Sequence, residues 1–282
     1  MRGNYILSTL IGIVSVFCFL YSCNQEKQEN MSELYMLIGT YTSPNSDGIY
    51  VYKLNSQTGE SSLVSTTKME NPSYLTFSPN GEILYAGSES DNLENDGISS
   101  FQFDRSSGKL LPLDSILTEG EAPCYIMNSF DSKWVLTANY NGGSLSMVKV
   151  NSFGMFEDAV HVVQFQGEGP NKERQQKSHL HSIYPSPDSL YLFANDLGAD
   201  KIYRMDYRED LDNTSIFEIP LKPGSGPRHT VFHPNGKWAY TITELSGEVI
   251  AFNYAVGVLE EFQTVLADTL GAQGSADIQI TH

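Results

Sequence analysis

Cysteine and positive charge are both scarce in this sequence. Its 282 residues include three cysteines, Cys18, Cys23 and Cys124, too few for a disulfide framework. Lys and Arg number 17 against 34 Asp and Glu, a formal net charge of −17. That deficit excludes a nucleic-acid partner, because binding to a phosphate backbone rests on clustered Lys and Arg. An anionic small molecule would need a local cationic patch working against the overall field. No stretch sustains helical periodicity. There is no CxxC, no HExxH and no nucleophile elbow, and the acidic run from Asp91 to Asp96 lacks the glycine and terminal glutamate of an EF-hand loop. No metal site or cofactor is therefore expected. The one extended apolar run, Ile6 to Tyr21, is short for a bilayer span.

That run follows Arg2 and ends in Leu20-Tyr21-Ser22-Cys23, the layout of a bacterial lipoprotein signal. Residues 1–22 read as the signal, Cys23 as the lipidated N-terminus, and residues 23–33 as a polar tether that has nothing to pack. The alternative is an uncleaved anchor. Either way the folded part, 34–282, is exported to the periplasm or outer membrane and meets the membrane only through its N-terminus. A cytoplasmic location follows only if the signal reading fails.

What the sequence has in quantity is glycine (23), tyrosine (16) and phenylalanine (14), which favour strands and turns. From residue 34 the chain repeats itself at a period of about fifty residues. Units begin at Asn71-Pro72, Ala122-Pro123, His179-Leu180 and Gly226-Pro227. Each continues through a turn anchored at Pro79, Phe130, Pro187 or Pro234, then through further short strands rich in aromatic and β-branched residues. Three to four strands per such period is a β-propeller blade. The segments Leu34–Tyr41 and Gly48–Leu54 fit a unit lacking its first strand. A last start, Ser275–Ile280, stops at His282. The expected fold is all-β, a propeller of four-stranded blades. The count is about five blades plus one strand, an incomplete ring.

In such a ring the first strand of each blade is innermost, so equivalent positions encircle the axis. One ring reads Ser73, Cys124, His181, Arg228 and Ala276; the next reads Tyr74, Tyr125, Ser182, His229 and Asp277. A third, at the end of the second strands, reads Tyr41, Glu89, Tyr140, Asp196 and Glu244, if the third unit is one residue shorter after Asp188. Structural positions should repeat their residue type. These positions do not, and a histidine, an arginine and a carboxylate converge at His181, Arg228 and Glu244, which marks a candidate site.

The motifs His179-Leu-His-Ser182, Gly224-Ser-Gly-Pro-Arg-His229, Phe232-His-Pro-Asn-Gly236 and Thr243-Glu-Leu245 resemble the seven-bladed bacterial 6-phosphogluconolactonase family, itself similar to carboxy-muconate lactonising enzymes. Ala138–Gly143 and Gly169–Gln175 resemble it too. The resemblance covers residues 34–282 and implies metal-free hydrolysis of a sugar lactone such as 6-phosphogluconolactone. It carries catalytic roles onto His181, Arg228 and Glu244, and against the family's seven blades it leaves about one and a half missing. Asn171, Arg174 and Gln175 match the family pattern as wall residues; His179, His229 and Asp196 stand as further substrate contacts.

Histidine can relay a proton at neutral pH, and arginine can hold an oxyanion or a carboxylate. Glu244 is left as orienting group or base. Two other functions fit the same residues. One is a non-catalytic surface propeller that binds a glycan or protein; the other is a calcium-assisted lactonase using Glu89, Asp196 and Glu244.

Overall fold

The computed structural model describes residues 33–90, 94–207, 215–271 and 274–281. The signal, Cys23, the tether up to residue 32, residues 91–93 of the acidic run and His282 lie outside them. Glu33, read as the end of the tether, already opens the first strand. Among the described residues no helix is long and apolar enough to cross a membrane.

Strands β1 (Glu33–Gly39), β2 (Gly48–Asn55) and β3 (Ser61–Lys68) are ordered in a three-stranded sheet. Four four-stranded antiparallel sheets follow. The first holds β4 (Pro72–Phe77), β5 (Ile83–Ser88), β6 (Gly97–Asp104) and β7 (Lys109–Leu117). The second holds β8 (Pro123–Asn128), β9 (Trp134–Asn139), β10 (Ser144–Val150) and β11 (Phe156–Gln164). The third holds β12 (Leu180–Pro185), β13 (Tyr191–Asp196), β14 (Lys201–Asp206) and β15 (Phe217–Pro220). The fourth holds β16 (Pro227–Phe232), β17 (Trp238–Thr243), β18 (Glu248–Ala255) and β19 (Val258–Leu266). These are the four repeat units, each a meander in chain order. Contacts group residues 33–36 with 53–62 in one compact unit and residues 37–52 with 63–281 in another. The smaller unit includes the turn from β2 to β3, closed by the Asn55 amide on the Glu60 carbonyl (2.9 Å). The inner strands β4, β8, β12 and β16 all belong to the larger unit.

The last strand of each blade is its most exposed. β12 is buried along nearly its whole length, whereas β15 and β19 are largely exposed. The reason is in the side chains: β13 reads Tyr-Leu-Phe-Ala-Asn-Asp and hides both faces, while β19 alternates no apolar face at all. Each seam between neighbouring blades carries its own core. Met127, Leu136, Leu145, Leu180 and Leu192 fill the seam of the second and third sheets. Phe193, Ile202, Ile250 and Phe252 fill that of the third and fourth. Tyr85, Ile98, Ile126 and Val148 fill that of the first and second. Each fully buried large side chain contributes roughly 1.5–3 kcal/mol. The fold is a β-propeller, with β4, β8, β12 and β16 as successive inner strands in mutual contact.

Two local devices recur at the inner strands. The pairing of first to second strand slips by one residue at the same place in every blade: between Pro72 and Tyr74, Pro123 and Tyr125, Leu180 and Ser182, and Pro227 and His229. The residue left over is Ser73, Cys124, His181 or Arg228. A bulge leaves one residue out of the ladder and re-aims its side chain. Just before the strand, Asn71, Ala122 and Gly226 take left-handed φ values of 41°, 55° and 60°.

Two expectations need correction. The third blade is not one residue short: Ser186 to Tyr191 spans the same turn as Ser129 to Trp134, with the same amide-to-carbonyl bond at 2.8 Å. Asp196 therefore aligns with Ser88, Asn139 and Thr243, and Leu197 takes the ring position matching Glu89, Tyr140 and Glu244. The amides of Glu89, Tyr140, Leu197 and Glu244 make equivalent bonds, to the carbonyls of Asn71, Ala122, His179 and Gly226. The second correction is that Ser275–Ile280 forms no strand; it has no ladder partner among the described residues.

Candidate active site

A cavity of about 530 Å³ opens where the bulges point. Its wall includes Ser73, Cys124, His181 and Arg228 from the first ring, Tyr74, His229 and Asp277 from the second, and Tyr41, Glu89, Tyr140 and Glu244 from the third. Arg174 joins them from the loop before β12. The ring alignment thus held most of the wall.

Glu244 is the hub. Its Oε1 accepts from Arg174 Nη2 at 2.6 Å and its Oε2 from Arg228 Nε at 2.9 Å. Arg174 Nη2 also donates to the Tyr140 hydroxyl at 3.1 Å, and Arg228 Nη1 donates to the Ala276 carbonyl. One carboxylate thereby holds two guanidinium groups, a charge-assisted arrangement that fixes both. The bond it donates to Tyr140, ahead of the one to Glu244, keeps the Arg174 guanidinium above its ordinary pKa.

His181 lies alongside, its Nε2 3.7 Å from Glu244 Oε2 and its Nδ1 3.8 Å from Cys124 Sγ. Burial, with the Arg228 charge added, holds its pKa well below the ordinary 6.5. It is a neutral imidazole at pH 7. Cys124 donates weakly to the carbonyls of His181 (3.5 Å) and Leu180 (3.7 Å), and burial pushes its thiol far upward, so it is an inert neighbour and not a nucleophile.

Next to His181, His229 Nδ1 meets Asp277 Oδ1 at 2.8 Å, while its buried Nε2 has no partner. Tyr125 and His181 each present a T-shaped contact to its ring at 5.4 Å. Burial lowers the His229 pKa, against the bond from Asp277. Burial would raise Asp277, but bonds from His229 and Gln279 bring it below the usual carboxylate value.

Of the nine residues expected in the site, five converge on the cavity: His181, Arg228, Glu244, Arg174 and His229. Four do not line it. His179 stacks on the Tyr140 ring at 4.5 Å and bonds the Tyr140 carbonyl through Nδ1 at 3.0 Å. Asn171 accepts the amides of Glu173 (3.0 Å) and Arg174 (3.2 Å), shaping the turn that delivers Arg174. Gln175 is buried and donates to Leu197 O and Asp200 Oδ1, both at 2.8 Å. Asp196, fully buried, accepts from Ser178 Oγ, the amides of His179 (2.8 Å) and Ala199 (3.0 Å), and the Tyr203 hydroxyl (3.2 Å). Its oxygens are spent on backbone geometry, so the Glu89–Asp196–Glu244 calcium set is not assembled. Among the described residues no group of three or more His, Cys, Asp or Glu is placed to hold a metal. Tyr41, Tyr74, Tyr140 and Asp277 are wall residues that the sequence placed in rings without marking them as site residues. Repeat equivalence was the signal for them.

A propeller with a polar, two-arginine, two-histidine cavity at its inner strands is the class that fold and site define. Residues 35–282 match the family described as Lactonase, 7-bladed beta-propeller, and the chain belongs to that family. It is 37% identical to the 6-phosphogluconolactonase of Bacillus subtilis over 254 residues, 87% of this chain and 71% of that protein. A solved structure from Bacteroides fragilis matches at TM-score 0.82 and 43% identity, over 88% of this chain and 72% of its own. The periplasmic gluconolactonase of Pseudomonas aeruginosa matches at TM-score 0.78 and 33% identity, over 85% and 69%.

Proposed function

We propose that this chain hydrolyses a sugar lactone, 6-phosphogluconolactone or an unphosphorylated aldonolactone, to the open-chain acid, with His181 as proton carrier and Arg228 at the developing oxyanion. The observation that carries the roles is the cluster in which a neutral imidazole nitrogen lies 3.7 Å from a carboxylate holding two guanidinium groups. That gap is too long for a direct bond. It leaves His181 Nε2 free for a water.

In the proposed reaction His181 takes a proton from the water as its oxygen attacks the lactone carbonyl. The carbonyl oxygen gains the negative charge, and the guanidinium of Arg228, fixed beforehand by Glu244, lies in the same wall to receive it. The ring C–O bond then breaks, and His181 returns its proton to the departing alkoxide. The new carboxyl group releases its remaining proton to solvent, and Arg174 holds the resulting carboxylate. Both Glu244 oxygens already accept from guanidinium groups, and its role is to position them. His229, its Nδ1–H directed at Asp277, forms the wall beside His181.

The lipoprotein reading of residues 1–23 belongs with this proposal. Its support is the signal-like sequence and the periplasmic relative from Pseudomonas aeruginosa. Export would favour an unphosphorylated substrate. Acid release followed in a pH-stat, with glucono-1,5-lactone and its 6-phosphate ester compared, tests the function. Opening of either above the spontaneous rate is the expected result, and neither being opened would refute it.

A further inference from the structure

We propose that Asp200, a carboxylate outside the cavity, is a positioning residue that sets both arginines around Glu244. The proposal rests on the lactonase reading above.

Asp200 ends the turn between β13 and β14, is 5% exposed, and takes a left-handed φ of 53°. Its Oδ1 accepts from Gln175 Nε2 (2.8 Å), from the Gly226 amide (2.8 Å) and from Ser225 Oγ (3.3 Å). Its Oδ2 accepts from the Gly224 amide (2.7 Å). These donors are neutral and come from two separate stretches of chain. One stretch ends at Gln175, next to Arg174. The other ends at Gly226, two residues before Arg228, and the Gly226 carbonyl accepts the Glu244 amide at 2.8 Å. A single carboxylate therefore ties together the two backbone segments that carry Arg174 and Arg228, and the second of them holds the Glu244 amide.

The tie to the start of the next inner strand has a counterpart in the first blade, where buried Asp96 accepts the Ala122 amide at 2.9 Å; the bond to Gln175 is what Asp200 adds. Gln175 Nε2 also donates to Leu197 O at 2.8 Å, and Gln175 Oε1 accepts the Asn171 amide at 3.1 Å. Gln175 and Asp200 thus lock the 171–175 loop to the base of the third blade from within. Arg174 is on the rim, its side chain 41% exposed. Without that lock, the Asn171-capped turn that delivers Arg174 loses its ties to Leu197 and Asp200. A buried carboxylate that bonds only neutral donors costs desolvation without any ion-pair return. It is explained if geometry at the cavity is what it maintains.

The test is Asp200→Asn in the full chain, read two ways. Hydrogen–deuterium exchange should show loss of protection in 171–175 and 224–226 together, with the blade cores unchanged; undiminished protection in both overturns the proposal. In lactone turnover, misplacing the arginines by about an ångström should lower kcat about 100-fold. In the Arg174→Ala background the same change should cost less than about 10-fold, because one of the two arginines it positions is gone. An equal loss in both backgrounds marks a purely structural residue and overturns the proposal.

Gln175→Met is the second variant, should Asp200→Asn fail to fold. It cuts only the tie to the Arg174 loop, so exchange should quicken in 171–175 and not in 224–226. Its cost to turnover should vanish in the Arg174→Ala background; a full cost there counts against the proposal. A wild-type chain that opens no lactone would refute the function, and the exchange experiment would still decide the tether.

Discussion

The two ends of each inner strand obey different rules. At the outgoing end a serine hydroxyl closes the turn three times over: Ser78, Ser129 and Ser186 accept the amides of Ile83 (3.0 Å), Trp134 (2.9 Å) and Tyr191 (3.0 Å). Each also donates to the Asn or Asp two residues on, at 2.7, 2.8 and 2.5 Å. In the fourth blade His233 does similar work, its Nδ1 accepting the Asn235 amide at 3.0 Å. At the incoming end the bulge is equally regular, yet its residue changes from Ser73 to Cys124, His181 and Arg228. The backbone there is repeated and the side chain is not. A residue type recurs where the bond it makes recurs; it diverges where the side chain faces a shared cavity and each blade supplies a different group.

The sharpest way to break this contrast is Arg228→Ala. Removing a preorganised cation from the oxyanion should lower kcat about 100- to 1000-fold with little change in melting temperature. Turnover near wild type would remove Arg228 from the mechanism. Next comes the converse at the outgoing end. Ser129→Ala leaves the Trp134 amide without its side-chain acceptor and should cost about 1 kcal/mol of stability, read in urea unfolding, with kcat unaltered.

A pH measurement sharpens the incoming end. His181 is held below its ordinary pKa by burial first and by Arg228 second. In an NMR titration its midpoint should rise in Arg228→Gln, and an unmoved midpoint would separate the two groups. The linkage sign follows. The unfolded chain binds the proton at the ordinary histidine pKa of 6.5 and the folded chain does not. This histidine's share of stability is present above 6.5 and is lost as pH falls from there toward the folded value.

The smallest effect belongs to Ala122, whose left-handed φ of 55° strains an L-residue where the fourth blade uses Gly226. Ala122→Gly should relieve that strain and stabilise by no more than about 1 kcal/mol, set against the entropy glycine loses on folding. A clear destabilisation would show that strain is not what distinguishes this site.

Fold class was open to reading from the sequence because it rests on spacing. Turn residues every fifty positions and strand-length apolar runs admit few other architectures. Several ring positions followed from the same counting. Asp196 shows the limit: a one-residue error in the third turn moved a buried scaffold carboxylate onto the ring, since every side chain changes face when register slips by one. Gln175 and Asn171 were legible as belonging near the site, but whether a polar side chain faces a cavity or a backbone depends on loop geometry that has no period.

What the sequence by itself determined is the repeat, the strand order within each blade and the unlike residues at His181 and Arg228, because local hydrogen bonding and apolar patterning depend on near neighbours in the chain. Only the tertiary structure decided that Glu244 binds two guanidinium groups at once, that Asp277 faces His229, and that Asp200 joins two distant loops. Those contacts arise when separate blades share one axis, and distance through space between blades is set by seam packing, which no stretch of chain records alone.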